Sequence, residues 1–282
     1  MQNLAVLEKI DYLVIGHLTH DLTPAGPRIG GTAAFSALTA SALGLRAGIV
    51  TAWSGDLPLG PLQHIPIISF PTDIDSTFEN IYTPAGRIQY LRQVAPNLDY
   101  HLVPEAWRQT PLVHLGPVAQ EVEPSLVRRF ADSLVGLTPQ GWLRSWDEQG
   151  RVHASEWPEG TYILQQAGAA VISIEDVEGD EERVEEMASA CRILAVTEAN
   201  HGARLYWNGD VRRFRPPPVE EVDATGAGDI FATAFFSRLY STRDPWEAAR
   251  FATQISAFSV TRVGLESIPT PQEIQECLIE VL

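Results

Sequence analysis

The densest chemical pattern in the chain is Val222-Asp223-Ala224-Thr225-Gly226-Ala227-Gly228-Asp229, which runs straight into the apolar stretch Ile230-Phe231-Ala232-Thr233-Ala234-Phe235. Small residues at Gly226, Ala227 and Gly228 let the backbone approach a ligand closely and gather successive N–H groups into a concave nest. The apolar stretch reads as a helix whose free amides and partial positive charge face the same point. A phosphate-like anion fits there without help from a lysine. Asp229 stands at the mouth of this nest. The helix terminus favours its ionised form, and an ionised carboxylate beside an anion hole can take a proton from an attacking hydroxyl. Read blandly, Asp229 is a cap and Gly226–Gly228 a tight turn. Asp223 and Thr225 at fixed offsets make the longer string more specific than its glycines alone.

Composition narrows the chemistry. Lys9 is the sole lysine, and no Gly-Lys-Ser/Thr occurs, so a lysine-bearing phosphate loop is excluded. Phosphate chemistry here must use backbone amides, arginine or a metal. With 36 acidic against 20 basic side chains, the net charge is −16. That charge repels phosphate backbones and anionic membrane surfaces, so neither nucleic acid nor membrane is an expected partner. No apolar run is long enough to span a bilayer, and Met1-Gln2-Asn3-Leu4 carries no secretory pattern. Cys191 and Cys277 cannot build a disulfide framework, so a reducing cytoplasm is expected. No histidine or carboxylate cluster has metal spacing. His17, His20 and His114 read as structural, with His20 placed next to Asp21 where it can touch substrate.

The elements that must position these residues alternate between short apolar runs and amphipathic ones. Strands are expected at Tyr12–Gly16, Ala47–Thr51, Ile65–Phe70, Leu112–Leu115, Val135–Thr138, Ala170–Ser173 and Ile193–Thr197. Helices are expected at Gly30–Leu43, Ser125–Ser133, Tyr162–Ala167, Glu181–Ala190, Asp229–Tyr240, Trp246–Phe258 and from Pro271. Two hairpins are expected: Thr77–Tyr82 with Gly86–Arg92 around Thr83-Pro84-Ala85, and Arg204–Trp207 with Val211–Phe214 around Asn208-Gly209-Asp210. Such alternation predicts an α/β/α sandwich with a mainly parallel central sheet. Thr138-Pro139-Gln140-Gly141-Trp142-Leu143-Arg144 follows a strand end, where such sheets bind ligands. Gln140 and Arg144 are placed to read substrate hydroxyls or a phosphate, and Trp142 to stack on a ring, with plain loop packing as the alternative.

Asp223–Asp229 resembles the C-terminal signature of the ribokinase (PfkB) family of carbohydrate kinases. Gly30-Gly31-Thr32-Ala33-Ala34 and its helix are similar to that family's N-terminal Gly-Gly motif. Gly16 followed by Asp21, and Val260-Thr261-Arg262-Val263-Gly264, match in family order and spacing, so the resemblance spans Tyr12–Pro269. It implies a single domain over 1–282, a small β lid around 75–93, and ATP-dependent phosphorylation of a hydroxyl on a small sugar or cyclitol. Asp229 would be the base, and the amides of Gly226, Ala227 and Gly228 would hold the transferring phosphoryl group. Asp21, Gly30 and Gly31 would bind substrate. Thr197, Gly202, Thr225 and Gly228 would bind nucleotide. Mg2+ would ride mainly on ATP, with Asp176 and Asp223 near metal, and K+ would sit in a loop near Asp223, Thr225 and Ser259.

The sequence also departs from that family. Ser173-Ile174-Glu175-Asp176 stands where Asn-x-x-Glu is usual, Phe35 replaces a polar helix residue, and Ala199 replaces a glycine. Phe35 with Gly16-His17 and His20-Asp21 is similar to the myo-inositol kinase-like branch. Only eight residues separate Asp21 from Gly30, so the lid is expected to be reduced, and a homodimer is suggested to complete it. Two alternatives stay open: a non-catalytic polyol- and nucleotide-binding protein on the kinase fold, and a kinase of a nucleoside or vitamin-type alcohol.

Overall fold

The computed structural model describes residues 7–83 and 86–278. The expected turn residues Pro84 and Ala85, and the N-terminal Met1-Gln2-Asn3-Leu4, lie outside the described residues. In chain order the strands are β1 (Tyr12–Ile15), β2 (Thr19–Leu22), β3 (Arg28–Gly30), β4 (Ala47–Ala52), β5 (Ile67–Phe70), β6 (Ser76–Thr83), β7 (Gly86–Gln93) and β8 (Leu112–Leu115). There follow β9 (Leu134–Leu137), β10 (Arg144–Trp146), β11 (Val152–Ala154), β12 (Ala169–Ser173), β13 (Ile193–Thr197), β14 (Ala203–Trp207) and β15 (Asp210–Phe214). The helices are α1 (Gly31–Ala42), α2 (Gly160–Gln166), α3 (Glu181–Ala190), α4 (Ala227–Thr242), α5 (Pro245–Ser259) and α6 (Pro271–Leu278).

β1 shows why the main sheet is covered on both sides. Tyr12 and Val14 enter one apolar cluster and Leu13 and Ile15 another, because successive strand side chains point to opposite faces. The first cluster is completed by α1, α4, α5 and Cys277 of α6, and the second by Ile163 and Leu164 of α2 and Val184 and Met187 of α3. The result is a nine-stranded sheet in the order β15-β14-β13-β12-β9-β8-β1-β4-β5, parallel except for β14 and β15. The β14–β15 hairpin turns through Asn208 and Gly209, both at positive φ, as its Asn-Gly pair predicts. α1 is rich in Ala, Ser and Thr and lies buried from Thr32 to Ala40, which small side chains allow. α4 is apolar nearly all round and is sunk into the core. Among the described residues no helix is long and apolar enough to cross a membrane.

One expectation changes. The helix expected over Ser125–Ser133 is a 3-10 turn at Pro124–Arg128. Ser133 N–H must return to Phe130 O and Leu134 N–H to Pro111 O to begin β9, which leaves too little chain for an α-helix. The region expected to form a reduced lid is a second small sheet. The interval between Asp21 and Gly30 folds into a β2–β3 hairpin, closed by Thr23 Oγ1–H on Gly26 O (2.6 Å) and Gly26 N–H on Thr23 O (3.0 Å). β2 then pairs with β6, giving a second, four-stranded sheet β3-β2-β6-β7.

Candidate active site

The segments after the carboxyl ends of β4, β9, β12 and β13 and the amino end of α4 meet the small sheet around one cleft of about 2590 Å³. Asp229 lies in the first turn of α4, after Gly226, whose φ of +79° sets the turn. A Cβ on Gly226 would stand 2.3 Å from the Phe35 ring, so Phe35 is the floor on which the nest rests. That gives the ring a packing role beneath the glycine turn, and it also reaches the cleft lining. Asp229 is bonded to the Thr32 side chain at the start of α1. Burial raises its carboxyl, the Thr32 bond and the Arg144 charge partly offset this, and the carboxylates of Asp176 and Asp21 add to it. The outcome is a pKa of about 6. The helix terminus was expected to keep Asp229 readily ionised, and desolvation overrides that expectation. At pH 7 the group is still mostly ionised, as a general base must be.

Asp21, Asp176, Arg144 and Asp229 thus come together from four separate elements. Asp21 accepts from Thr19 Oγ1–H (2.7 Å), and Gly30 lies so close that a Cβ there would be 2.1 Å from its Oδ2. Gly31 opens α1 and lines the cleft. Gln140 donates from Nε2 to Asp176 Oδ1 at 3.1 Å, and Asp176 Oδ2 accepts from Ser173 N–H at 2.8 Å in a capping box. Ser173-x-x-Asp176 therefore makes a helix start and keeps a carboxylate at the cleft in one arrangement. Asp223 Oδ1 accepts from Thr225 N–H (2.9 Å) and Oδ2 from Gly264 N–H (3.0 Å), tying the nest loop to the segment after α5. Burial opposes its ionisation, but these bonds and Arg28 hold its carboxyl below the ordinary range. Ser259 Oγ–H is used on Ser256 O (2.7 Å). Among the described residues, no group of three or more His, Cys, Asp or Glu side chains is arranged to hold a metal.

Thr225, Thr197 and Gly202 line the same cleft. Thr197 Oγ1–H reaches Ile172 O at 3.3 Å, and Glu198 N–H closes the loop on Gly202 O at 2.7 Å. Between them Ala199 sits at φ +49°, a left-handed conformation that favours glycine. Alanine is therefore strained there, and Ala199→Gly should raise stability by about 1 kcal/mol. Thermal melts of the two proteins check this; an unchanged or lower melting temperature would show that the turn relaxes around alanine.

Two expectations fail. Trp142 is buried, donates Nε1–H to Val122 O (2.9 Å) and stacks on Trp157 at 5.2 Å, so it cannot stack on a ligand. His20 belongs to the face of β2 opposite Thr19 and Asp21 and is absent from the cleft lining. His17 and His114 are structural, as expected: His17 bonds Ser76 Oγ (2.7 Å) and Pro96 O (2.9 Å). His114 bonds Tyr12 and Thr138, and burial lowers its pKa to about 3. Sequence reasoning missed the paired amides Asn80 and Gln89 of the small sheet (Gln89 Nε2–H to Asn80 Oδ1, 2.9 Å). It also missed the apolar rim of Val219, Val222 and Val263, which are 37%, 59% and 39% exposed.

The mainly parallel sheet, with a carboxylate at a glycine-nest helix terminus, has the ribokinase fold, and the proteins this chain resembles are kinases, phosphotransferases with an alcohol acceptor. Residues 163–273 match the family described as pfkB family carbohydrate kinase, the family that the sequence motifs resemble. The chain is 26% identical over 286 residues to inositol 3-kinase of Oryza sativa subsp. japonica, covering 93% of this chain and 71% of the relative. It is 25% identical over 302 residues to fructokinase of Escherichia coli, covering 93% and 97%. A pyrophosphate-dependent kinase in the ribokinase family, solved with a pyrophosphate analog and myo-inositol, superposes with a TM-score of 0.76 at 19% identity, covering 94% of this chain and 99% of that one. At that identity the likeness shows the shared fold.

Proposed function

We propose that this enzyme transfers the γ-phosphoryl group of ATP to a hydroxyl of a small neutral sugar or cyclitol. The observation that carries the reading is Asp229: a carboxylate poised near neutrality at the open face of an amide nest, with Asp21 and Arg144 beside it. Asp229 takes the proton of the acceptor hydroxyl as its oxygen bonds to the γ-phosphorus. The bond to the bridging oxygen breaks, and ADP leaves with that electron pair. The Gly226, Ala227 and Gly228 amides stabilise charge on the phosphoryl oxygens. Asp21, Gln140, Asn80 and Gln89 offer the hydrogen-bonding groups a polyol needs. The small sheet serves as the lid that excludes water.

The exposed apolar rim supports a nucleotide donor. Val219, Val222 and Val263 offer an apolar shelf that suits a base and would be idle under pyrophosphate. Mg2+ fits this cleft as an ion held mainly by phosphates and water, with Asp176 as the protein's carboxylate, and it would supply charge neutralisation. The domain boundary follows the same reading: one kinase domain over 1–282.

The test is acceptor-dependent ADP release with Mg-ATP across myo-inositol, fructose, ribose and nucleosides, run beside pyrophosphate as donor and with and without K+. The potassium arm matters because the Asp223–Gly264 tie closes the loop where the resemblance expects a monovalent cation. Turnover of a polyol with ATP is the expected result. Turnover with pyrophosphate alone would overturn the donor, and turnover of nucleosides alone the acceptor.

A further inference from the structure

Arg144, the last residue of the loop singled out in the sequence, lines the cleft with Asp229 from a strand that the sequence did not mark. β10 and β11 form a small antiparallel pair, with Arg144 opposite Ala154, Ser145 opposite His153 and Trp146 opposite Val152. Arg144 stands at the cleft end, where its charge offsets the carboxylates of Asp21 and Asp176 around Asp229. Gln120 Nε2–H holds its main-chain oxygen, and Ser155 N–H closes the same end on Leu143 O at 2.8 Å. The far end is a tight tip. Asp147 Oδ1 accepts from Gln149 N–H (3.0 Å) and Arg151 N–H (2.8 Å), and Gly150 N–H donates to Asp147 O (2.9 Å).

That tip is seated on β7 of the small sheet. Leu91 N–H donates to Gly150 O at 2.7 Å, Tyr90 and Arg151 form an antiparallel bridge, and Arg92 Nη1–H reaches Gln149 O at 3.2 Å. Beneath the seam, Phe78 and Leu91 of the small sheet pack with Val118, Ala119, Trp146 and Val152 in a cluster separate from both main cores. Gly150 has φ +83°, and a Cβ there would lie 2.4 Å from Leu91 O, so any side chain must push the seam apart.

We propose that the β10–β11 hairpin is a strut that holds Arg144 against Asp229 from its seat on the small sheet, with Gly150 as the positioning residue at its foot. One end of the strut is seated on the small sheet, and the other carries the arginine whose charge acts on Asp229 across the cleft that both residues line. About 10 Å of paired strand joins them, short enough to transmit a displacement of the foot. The proposal rests on Asp229 being the base. The donor half of the cleft, built from α4, β13 and the loop after α5, shares no element with the strut.

The experiment is a double-mutant cycle between Gly150→Val and Arg144→Ala, read as kcat and as the KM of each substrate. Gly150→Val is expected to lower kcat by about 100-fold, the scale of a small misplacement, with the donor KM unchanged. In the double variant kcat should stay within about twofold of Arg144→Ala alone, because the strut has nothing left to position. Multiplying losses, or full activity in Gly150→Val, would overturn the proposal. Hydrogen exchange at Leu91 N–H reports whether the seam opened, and exchange at Ile172 and Val196 reports whether the main sheet held. If Gly150→Val loses the main sheet, Gly150→Ala takes its place in the cycle with the same two outcomes. A wild-type enzyme without phosphoryl transfer would instead count against the function proposed above.

Discussion

Asp229→Asn is expected to lower turnover by about 1000-fold or more and, at pH 8, to make the protein more stable. Both effects have one cause. Folding raises the carboxyl from 3.8 to about 6, with burial as the largest contribution. A folded-state pKa above the unfolded one contributes stability that is fully present below about pH 4 and is lost as pH rises through 6. At pH 8 the native state therefore carries the whole cost of an ionised, desolvated carboxylate, on the order of 1–3 kcal/mol after allowance for water in the cleft. Asparagine keeps an acceptor for Thr32 and removes the charge. The melting temperature should rise by about 2–8 °C at pH 8, and the gain should shrink towards pH 4.5. Nucleotide binding should survive, because the nest is main chain. In the wild type, kcat/KM should fall as pH drops through about 6, since the free enzyme's base is then protonated. A stability gain independent of pH, or turnover within tenfold of wild type, would remove Asp229 from the role of base.

The contrast with the sequence reading is instructive at this residue. The nest and its helix were legible because their signal is local: small residues, then an apolar run, with Asp229 at a fixed offset. The direction of the Asp229 shift was not legible. It depends on Asp21, Asp176, Arg144 and Thr32, which lie between 53 and 208 positions away and meet only in three dimensions. The buried parallel strands were found by length and branching, and Tyr12–Ile15 stood out although both of its faces are apolar. β2 and β3 were missed because Thr19-His20-Asp21-Leu22 and Arg28-Ile29-Gly30 carry no run of apolar residues. They are strands because β3 pairs with β2 and β2 with β6, a tertiary cause. The same holds for β10 and β11, three residues each, whose conformation is set by β7 and by the loop after β8.

Gly228→Ala should separate stability from activity in the opposite sense to an ordinary core change. Gly228 is the second residue of α4, its φ is not positive, and a Cβ there would meet nothing within 4 Å. Glycine inside a helix costs about 0.5–1 kcal/mol relative to alanine, so the fold alone would prefer alanine here. Gly226 differs, because its φ of +79° and its contact with Phe35 make glycine a requirement of the turn. Packing explains one glycine and not the other, which leaves close approach of a ligand to the amide as the reason for Gly228. Gly228→Ala should therefore stabilise the protein by about 0.5–1 kcal/mol while lowering turnover by about 100-fold or more, the cost of a blocked oxyanion donor. Gly226→Ala should lose both. Thermal melts and initial rates on the same preparations measure the pair. If Gly228→Ala melts higher and turns over normally, the phosphoryl group does not sit on this nest, and Asp229 faces some other anion.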